Sequence, residues 1–421
     1  ATLGPSWDQP AQMVALLDAG VNVVRINASH GTPEIRARWI EQLRDIAARR
    51  RDAVAILLDL QGPRIRVGTL PSPVHLVAGE TVTFAPEEEA RAGEIPTTYE
   101  GLAGDLRVGA RILLDDGLLA LEVTGITGRR VHATVHYGGE LRAHKGMNLP
   151  GIEVSAPALT EKDLEDVAEA VAARVDYIAL SFVRRQDDIE QLRALVPRTT
   201  KLIAKIEKDT ALGNLCGILD ASDAIMVARG DLGVELPFEE VPLMQKQIIR
   251  EAGLHGRPVI TATQMLESMV HAPRPTRAEA SDVANAILDG TDAIMLSEET
   301  AVGKYPIDAV MMMDRIARSA EGSIDPLVFE HLVSEPSTRD AISRAAHLIA
   351  KETGAAAIIT PTWSGSTACM VARFRPNRPI LAPTPNEAAL DFLSLCWGVE
   401  PLRIPRSDNI DEMIRHAIDA A

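Results

Sequence analysis

Short apolar runs that end in a polar or charged residue recur along this chain, and a stretch with helical spacing follows each of them. Parallel strands buried on both faces read as continuous apolar runs, and helices connect one such strand to the next. The complete runs are 20–27, 53–59, 176–183, 201–207, 223–231, 258–263 and 292–299. The segment before Pro5 has the character of the end of an eighth strand, cut short. Eight β/α units predict an α/β fold of the TIM (β/α)8 barrel type.

A doubly wound open sheet is the structural alternative. That fold would require a glycine-rich phosphate loop after its first strand, and the chain has none there. The interval 63–151 interrupts the barrel pattern, because it is rich in glycine and alternates apolar with polar residues, as in Thr81–Phe84, Arg111–Leu114 and Arg130–His136. Such alternation predicts short antiparallel strands joined by turns. We expect a small β-barrel lid domain, inserted in a βα loop where it can close over the site.

The C-terminal part begins a new α/β unit. Ala355–Thr360 predicts a strand, and a β/α pair follows around Pro379–Ala382. Between them lies the polar turn Thr362–Thr367, whose backbone N–H groups could hold an anion or simply cap the next helix. The predicted division is a barrel over 1–62 and 152–325, a lid over 63–151, and an apparently incomplete α/β domain of regulatory type over 326–421.

Charge and cysteine content exclude several classes of protein. The net charge of -16 argues against a broad nucleic-acid-binding or acidic-membrane surface, so an anionic substrate needs a local basic cluster. No apolar run reaches the roughly 18 residues that cross a bilayer. Cys216, Cys369 and Cys396 are odd in number and far apart. They predict no disulfide framework and favour a reducing cytoplasm.

The carboxyl ends of barrel strands converge at one rim, which is where barrel enzymes place their active sites. Polar candidates at these ends are Arg25, Asn27, Asp59, Lys205, Glu207, Asp231, Thr263, Ser297 and Glu299. Lys205 and Glu207 lie two residues apart in one strand and should point to the same side. Alone, such a pair is also typical of a surface just past a strand. Because burial of each polar group costs free energy, its recurrence at nearly every strand end indicates a site.

Glu207 and Asp231 follow consecutive strands, about 4.8 Å apart in a parallel sheet. Their carboxylates could share one Mg²⁺, whose remaining ligands are typically substrate oxygens and water; Mn²⁺ could take the same position. No His or Cys joins them, so zinc is not expected. With Lys205 and Arg25 beside the metal, the site fits a phosphorylated carboxylic acid and phosphoryl transfer. The turn Arg229–Gly233 offers N–H groups to a carboxylate, although its arginine is equally typical of a surface residue.

Sequence motifs in and around these strand ends form an ordered set. They are Thr2–Pro5, Asn22–Gly31, Asp59–Arg66, Lys145–Gly151, Lys205–Glu207, Met226–Gly233, Ala262–Met269, Pro273–Glu279 and Met295–Thr300. In number and order they resemble the motifs of the pyruvate kinase family, along nearly the whole chain. That family moves a phosphoryl group from phosphoenolpyruvate to ADP, giving pyruvate and ATP in glycolysis. Its inserted β domain closes over the site.

The resemblance implies a role for each matching residue. Glu207 and Asp231 would hold the Mg²⁺ that bridges to phosphoenolpyruvate, and Lys205 would stabilise the phosphoryl group and the developing enolate. Arg25 would grip the phosphate, and Thr263 would lie beside the enolpyruvate. The substrate carboxylate would be taken by the turn of Ala228, Arg229, Gly230 and Asp231. The nucleotide side is matched by Asn27, His30, Arg66 and Lys145.

One departure from the family concerns potassium. Potassium-dependent members read Asp-Thr-Lys-Gly-Pro-Glu where this chain has Asp59–Arg64. The Arg64 guanidinium could supply the positive charge that K⁺ otherwise brings, and close like charges disfavour a second cation. The monovalent-cation region would comprise Asn27, Ser29, Asp59 and Leu60. We therefore predict an enzyme that requires Mg²⁺ but not K⁺.

The resemblance also bears on regulation and assembly. The family's C-terminal domain often binds a sugar-phosphate effector at a loop like the one formed here by Thr362, Ser364, Gly365, Ser366 and Thr367. The later loop of that site is missing here, so the sequence does not identify the effector. Family members are usually tetramers, which implies a homotetrameric, allosteric enzyme of the cytoplasm with no nucleic-acid or membrane partner.

Two other functions remain open at the level of sequence. A Mg²⁺-dependent barrel aldolase or lyase of pyruvate enolate would share the carboxylate pair and a basic group. It would not need the lid or the nucleotide-side motifs. A catalytically silent paralogue, kept as a regulatory tetramer, is the alternative of another class, and the intact Lys205, Glu207, Asp231 and Thr263 argue against it.

Overall fold

The structure, a computed structural model, describes residues 1–50, 53–324, 329, 337–407 and 409–421. Its strands are β1 Val23–Asn27, β2 Ala55–Asp59, β3 Val74–Leu76, β4 Thr81–Pro86, β5 Ile95–Thr97, β6 Arg111–Leu114, β7 Leu119–Thr127, β8 Arg130–Tyr137, β9 Gly139–Leu141, β10 Met147–Asn148, β11 Tyr177–Leu180, β12 Lys201–Ile206, β13 Ala224–Ala228, β14 Val259–Ala262, β15 Ala293–Ile294, β16 Ile358–Ile359, β17 Ile380–Thr384 and β18 Val399–Arg403.

Its helices are α1 Pro10–Asp18, α2 Pro33–Arg50, α3 Leu102–Asp105, α4 Glu161–Ala172, α5 Gln186–Leu195, α6 Asp209–Gly213, α7 Leu215–Ala221, α8 Arg229–Glu235, α9 Val241–Leu254, α10 Arg277–Leu288, α11 Glu298–Ala301, α12 Pro306–Glu321, α13 Thr338–Thr353, α14 Ser366–Ala372, α15 Glu387–Leu393 and α16 Ile410–Ala420. Short 3₁₀ turns cover Pro5–Trp7, Glu87–Glu89 and Glu267–Val270. Among the helices of the described residues, none combines the length and apolar character needed to cross a membrane.

The largest sheet is a closed parallel barrel. Seven strands run in the order β1-β2-β11-β12-β13-β14-β15, each hydrogen-bonded in parallel to the next. The first residues close the gap, because the Thr2 N–H donates to the Leu296 carbonyl (3.0 Å) and the Leu3 N–H donates to the Arg25 carbonyl (2.8 Å). The predicted TIM barrel, including its eighth strand, is therefore confirmed, and the open-sheet alternative is excluded.

Both faces of the barrel strands are apolar, which explains their continuous apolar runs. Along β2, Ile56 and Leu58 pack outward into the cluster that includes the surrounding helices, while Ala55 and Leu57 belong to the inner cluster. Side chains two apart point to the same face of a strand. Asp59 therefore continues the inward row of β2 at its carboxyl end. The same alternation carries Lys205 of β12 inward.

The interval between β2 and β11 forms a separate β structure. A six-stranded sheet has the order β10-β6-β7-β8-β4-β5, and β3 pairs with β9 alongside it. The pairs are antiparallel as predicted, except that β4 and β5 run parallel. The tight turn after β6 has positive φ at Asp115, Asp116 and Gly117. Glycine, aspartate and asparagine tolerate positive φ best.

The C-terminal part is a three-stranded parallel sheet of order β16-β17-β18, flanked by helices. The predicted strand over 355–360 is shorter in the structure, which has only Ile358–Ile359 as β16. No strand was predicted over Val399–Arg403, which forms β18.

The expectation that the cysteines form no disulfide is wrong. Cys369 on α14 and Cys396 just after α15 are joined, with their Cα atoms 5.9 Å apart. The two residues are 27 apart in sequence, but α14 and the end of α15 pack in one apolar cluster with β17. Cys216 is a free, exposed cysteine.

Candidate active site

Arg25 and Asp59 form the first ion pair at the carboxyl rim of the barrel. Both side chains belong to the inward rows of β1 and β2, which are paired so that Asn27 lies opposite Asp59. The guanidinium reaches Asp59 Oδ2 through Nε at 2.7 Å and Nη2 at 2.6 Å. Burial alone would raise the pKa of Asp59, but Lys205 and Arg25 outweigh it and hold that pKa below its usual value. The carboxylate is therefore charged in the folded protein.

Lys205 is a buried ammonium group at the centre of the site. Its Nζ lies 2.8 Å from Glu207 Oε1 and 3.3 Å from Asp59 Oδ1, and it donates to Ser181 Oγ at 2.8 Å. Burial would lower the pKa of this lysine, yet the Asp59 and Glu207 carboxylates raise it above its usual value. The charge of Lys205 is thus stabilised by fixed anions rather than by water.

Glu207 is the carboxylate of this cluster whose negative charge its neighbours do not fully compensate. Only 1% of its surface is exposed, and its Oε2 accepts the Phe182 N–H at 2.7 Å. Burial raises the pKa of Glu207 although Lys205 favours its charged form, and the Asp231 carboxylate adds to the rise. No group of three or more His, Cys, Asp and Glu side chains with metal-site geometry occurs among the described residues. A cation here would depend on two carboxylates and on oxygens from a substrate.

Thr263 and the start of α8 form the next part of the rim. Thr263 follows β14 with φ of 66°, a conformation that is strained for a β-branched residue. Its Oγ1 accepts the Gly230 N–H at 2.7 Å and donates to the Ala262 carbonyl at 2.6 Å. Gly230 and Asp231 lie in the first turn of α8, directly after Ala228 ends β13. The turn predicted to take a carboxylate is therefore hydrogen-bonded to Thr263.

The interpretation of Arg229 as a surface residue is wrong. Its side chain is buried, and Nη1 lies 2.6 Å from Asp282 Oδ2 on α10. The Nη2 atom donates to the Thr263 carbonyl at 2.8 Å. These partners hold the guanidinium between α10 and the backbone of the Thr263 turn, so the side chain of Arg229 points away from the turn that its backbone shares with Gly230.

A cleft of about 260 Å³ separates the β structure from the barrel rim. Arg66 and Lys145 line it, together with Arg64 and Asp231. Lys145 pairs with Asp115 Oδ1 at 2.7 Å, and burial, followed by the neighbouring Arg64, lowers the pKa of Arg66. This electropositive wall suits a polyphosphate. The other two nucleotide-side candidates, Asn27 and His30, lie at the end of β1 and not on this wall.

The residues of the predicted monovalent-cation region lie close together along the ends of β1 and β2. Asn27 Oδ1 accepts the Ser29 N–H at 3.0 Å, and Ser29 Oγ is buried without a hydrogen-bond partner. The Leu60 carbonyl accepts the Ser181 hydroxyl at 2.8 Å. Because Arg25 and Lys205 already flank Asp59, this region carries its own positive charge.

The candidate effector loop is a turn before α14. Thr362 Oγ1 accepts the Gly365 N–H at 3.0 Å, and Ser364 Oγ accepts the Ser366 N–H at 3.5 Å. Thr367 follows within α14. Gly365 has φ of 84°, and a side chain there would meet Phe392. Local turn and cap bonds thus use two of the N–H groups that an anion would need.

Several residues of the site were missed or misjudged from sequence. Ser181 and Phe182 follow β11 directly. The Ser181 hydroxyl accepts from Lys205, and the Phe182 N–H donates to Glu207. Ser181 could have been found by the same pattern as the other candidates, a polar residue after an apolar run. In contrast, Glu299 is structural, because it accepts the N–H groups of Leu266 (3.0 Å) and Ser297 (2.7 Å).

A buried contact between the β structure and the barrel also went unpredicted. Glu235 Oε1, at the end of α8, lies 2.5 Å from Lys208 Nζ and accepts Asn148 Nδ2 of β10 at 3.1 Å. Nothing in the local sequence around these three residues indicated that they would meet.

Comparisons with known proteins identify one family. The family model for the pyruvate kinase barrel domain matches residues 1–310, and that for the pyruvate kinase alpha/beta domain matches 340–421. Pyruvate kinase of Geobacillus stearothermophilus is 46% identical over 431 residues, covering 100% of this chain and 73% of the relative. Pyruvate kinase 2 of Synechocystis is 45% identical with the same coverage. A pyruvate kinase structure from Cryptosporidium parvum has a TM-score of 0.95 at 36% identity, covering 99% of this chain and 89% of that one. The chain belongs to the pyruvate kinase family, which transfers a phosphoryl group from phosphoenolpyruvate to ADP.

Proposed function

We propose that the cluster of Arg25, Asp59, Lys205 and Glu207 is where this transfer takes place. The observation that carries the proposal is Lys205, a buried ammonium 2.8 Å from Glu207 and 3.3 Å from Asp59 at the catalytic rim of a barrel. Fixed charge of this kind stabilises a transition state without reorganisation of solvent. A structural ion pair would not need a third charged partner and an open cleft beside it.

Phosphoenolpyruvate would be held by groups from three strand ends. Arg25 would bind the phosphate, and the backbone N–H groups of the turn Ala228–Asp231 would take the carboxylate. Thr263 would lie beside the enolpyruvate, since its hydroxyl already bonds the Gly230 N–H. Lys205 would then face the bridging oxygen. As the phosphoryl group leaves, negative charge develops on that oxygen, and the ammonium stabilises the enolate until it is protonated to pyruvate.

The residues present fit a divalent cation. Burial raises the pKa of Glu207, and the nearby Asp231 adds to the rise. The charged form of Glu207 is therefore short of positive charge, which is the deficit that a hard cation with oxygen ligands corrects. Mg²⁺, or Mn²⁺ in its place, would be held by Glu207 and Asp231 and would supply charge stabilisation to the transferring phosphoryl group.

The nucleotide would bind in the cleft under the lid. Arg66 and Lys145 line that cleft and would bind phosphates of ADP and ATP, and Asn27 and His30 would contribute from the end of β1. Arg64 lines the same cleft. We also propose that K⁺ is not required, because the Arg64 guanidinium would repel a second cation that came close to it.

The remaining proposals concern organisation. We divide the chain into a barrel over 1–62 and 152–325, a lid over 63–151 and a C-terminal domain over 326–421. By analogy with the family, the enzyme would work as a cytoplasmic homotetramer in glycolysis. The loop of Thr362, Ser364, Gly365, Ser366 and Thr367 would be the part of the C-terminal domain that responds to an effector.

A coupled assay for pyruvate formation from phosphoenolpyruvate and ADP with Mg²⁺ tests the function. We expect turnover that requires all three components. An aldolase or lyase of pyruvate enolate would not consume ADP, and a silent paralogue would form no pyruvate, so either result would reject the proposal.

A further inference from the structure

The turn after β14 has a backbone conformation that must be held from outside. Thr263 and Gln264 have φ of 66° and 53°, and non-glycine residues rarely adopt positive φ. Such conformations persist only where the surrounding structure determines them, and they concentrate at functional sites. Contacts from neighbouring elements must therefore hold this turn.

Arg229 supplies contacts to the backbone of the turn. Its Nη2 donates to the Thr263 carbonyl at 2.8 Å and to the Gln264 carbonyl at 3.3 Å. The same atom lies 2.8 Å from Met265 Sδ. One guanidinium nitrogen thus contacts three successive residues, two of which have positive φ.

The opposite side of the guanidinium is anchored on two helices. Nη1 lies 2.6 Å from Asp282 Oδ2 on α10 and 3.4 Å from Gln245 Oε1 on α9. Only 8% of the Arg229 surface is exposed. A planar guanidinium can serve both directions at once, whereas the ammonium of a lysine acts from one point. The arginine therefore fixes the turn relative to the outer helices.

A second bond ties the turn to the start of α8. Thr263 Oγ1 accepts the N–H of Gly230, the residue after Arg229, at 2.7 Å. The Arg229 side chain holds the Thr263 backbone while the adjacent peptide holds the Thr263 hydroxyl. Release of the guanidinium would let Thr263 relax toward extended φ and would break the register between the two turns.

We infer that Arg229 is a positioning residue for phosphoenolpyruvate: it does not touch the substrate but keeps the Thr263 turn against the Ala228–Asp231 turn that binds the carboxylate. This inference rests on the proposed roles of those two turns. It replaces the expectation that the Arg229 side chain itself binds substrate.

Steady-state kinetics of Arg229→Met, Arg229→Lys and Asp282→Ala test this role. We expect Arg229→Met to raise the KM for phosphoenolpyruvate about tenfold or more, as small misplacements of binding groups do, with the KM for ADP changed less than about twofold. Arg229→Lys should recover part of the loss, and Asp282→Ala should give a smaller rise. The double variant Arg229→Met/Asp282→Ala should be no worse than Arg229→Met, because both act through one contact.

Arg193→Met is the matched control. Arg193 also joins a carboxylate, Asp223 at 2.5 Å, to a backbone carbonyl, Thr200 at 2.9 Å, but at the opposite end of the barrel strands. It should lower the melting temperature and leave both KM values unchanged.

Three results would decide against the inference or its basis. If Arg229→Met leaves the KM for phosphoenolpyruvate within about twofold of wild type, or raises both KM values equally, Arg229 has only a structural role. If Arg229→Met fails to fold, Asp282→Ala decides in its place, since an unchanged KM for phosphoenolpyruvate would reject the coupling. Absence of pyruvate formation by the wild-type enzyme would instead contradict the proposed function.

Discussion

At the scale of a single residue, the proposed chemistry depends most on Lys205. Its ammonium is buried among Ser181, Asp59 and Glu207, and the two carboxylates keep its pKa raised. Replacement by methionine keeps most of the volume and removes the charge. We expect Lys205→Met to lower kcat by about 10³-fold or more, the scale of losing a main electrostatic group, while circular dichroism shows an intact fold.

Lys201→Met provides a control on the same strand. Lys201 begins β12 at the other end of the barrel, where its Nζ lies 3.2 Å from Asp223 Oδ1. This variant should keep kcat within about twofold, because the lost pair is partly exposed and contributes little. Near-normal turnover of Lys205→Met would contradict the role assigned to the ammonium.

The predicted independence from potassium also belongs to the scale of a residue. Arg64 places a cation on the cleft wall next to Arg66. We expect the wild-type rate to stay within about twofold when KCl replaces another chloride salt at constant ionic strength, since a K⁺ ion would be repelled by a fixed charge. Arg64→Glu should be slower without K⁺ and regain activity when it is added. A many-fold activation of the wild type by KCl would reject the prediction.

Sequence patterns predicted which residues reach the rim but not how each side chain is used. Arg25, Asp59, Lys205 and Glu207 could be identified because strand alternation fixes the face to which they point. Arg229 could not, since its orientation is decided by Asp282 and Gln245, on helices that are distant in sequence. Strain at Thr263 likewise has no local signal, because the residue before it ends an ordinary strand.

Elements were predictable in proportion to the length of their apolar runs. β12 lies within the predicted run 201–207, whereas the predicted strand over 355–360 has only two paired residues, β16. β18 contains Glu400 and Pro401 and lacks an apolar run, so its pairing with β17 depends on tertiary context.

The disulfide also depends on tertiary context that the sequence does not show, and its presence can be tested. Cys369 and Cys396 meet only because α14 and α15 pack together. A titration of thiols in the denatured, unreduced protein should find one, Cys216, and full reduction should reveal all three. Closure of a loop this long constrains the unfolded chain by about 3 kcal/mol, so reductant should lower the melting temperature. Detection of three thiols before reduction would show that the bond does not form in solution.

At the scale of the whole molecule, the recurrence of β/α units predicted the barrel, but no pattern predicted how the C-terminal part packs beneath it. The contact is partly polar. Tyr177, at the start of β11, donates its hydroxyl to the Phe392 carbonyl at 2.7 Å. The ammonium of Lys201 lies 4.9 Å from the centre of the Phe392 ring. These pairs join residues about two hundred positions apart, and only the folded surfaces bring them together.

This interface also contains a pair of carboxyl groups that should make its stability depend on pH. Burial raises the pKa of Asp391 to about 7, and the neighbouring Asp176 adds to the rise, although Arg44 opposes it. Asp176 itself pairs with Arg44 at 2.8 Å and accepts the Ile56 N–H. The usual pKa of this carboxyl group, which applies in the unfolded chain, is 3.8. Since the folded protein therefore binds the proton more tightly, protonation stabilises the fold, and this contribution is complete below about pH 4. It is lost as the pH rises through about 7, by up to about 4 kcal/mol.

Asp391→Asn isolates this effect, because the amide stays neutral at every pH while it keeps the shape of the side chain. Wild type should lose unfolding free energy between pH 5.5 and 8.5, measured by urea denaturation. The variant should lose about 2 kcal/mol less over the same interval, because only the part of the shift between pH 5.5 and the folded pKa of about 7 falls within it, at about 1.4 kcal/mol per pH unit. Glu387, the other carboxylate that faces Asp391, offers a control as Glu387→Gln, which should leave the slope close to that of wild type. Parallel pH profiles for wild type and Asp391→Asn would mean that Asp391 is already ionised at neutral pH and that the interface tolerates both charges.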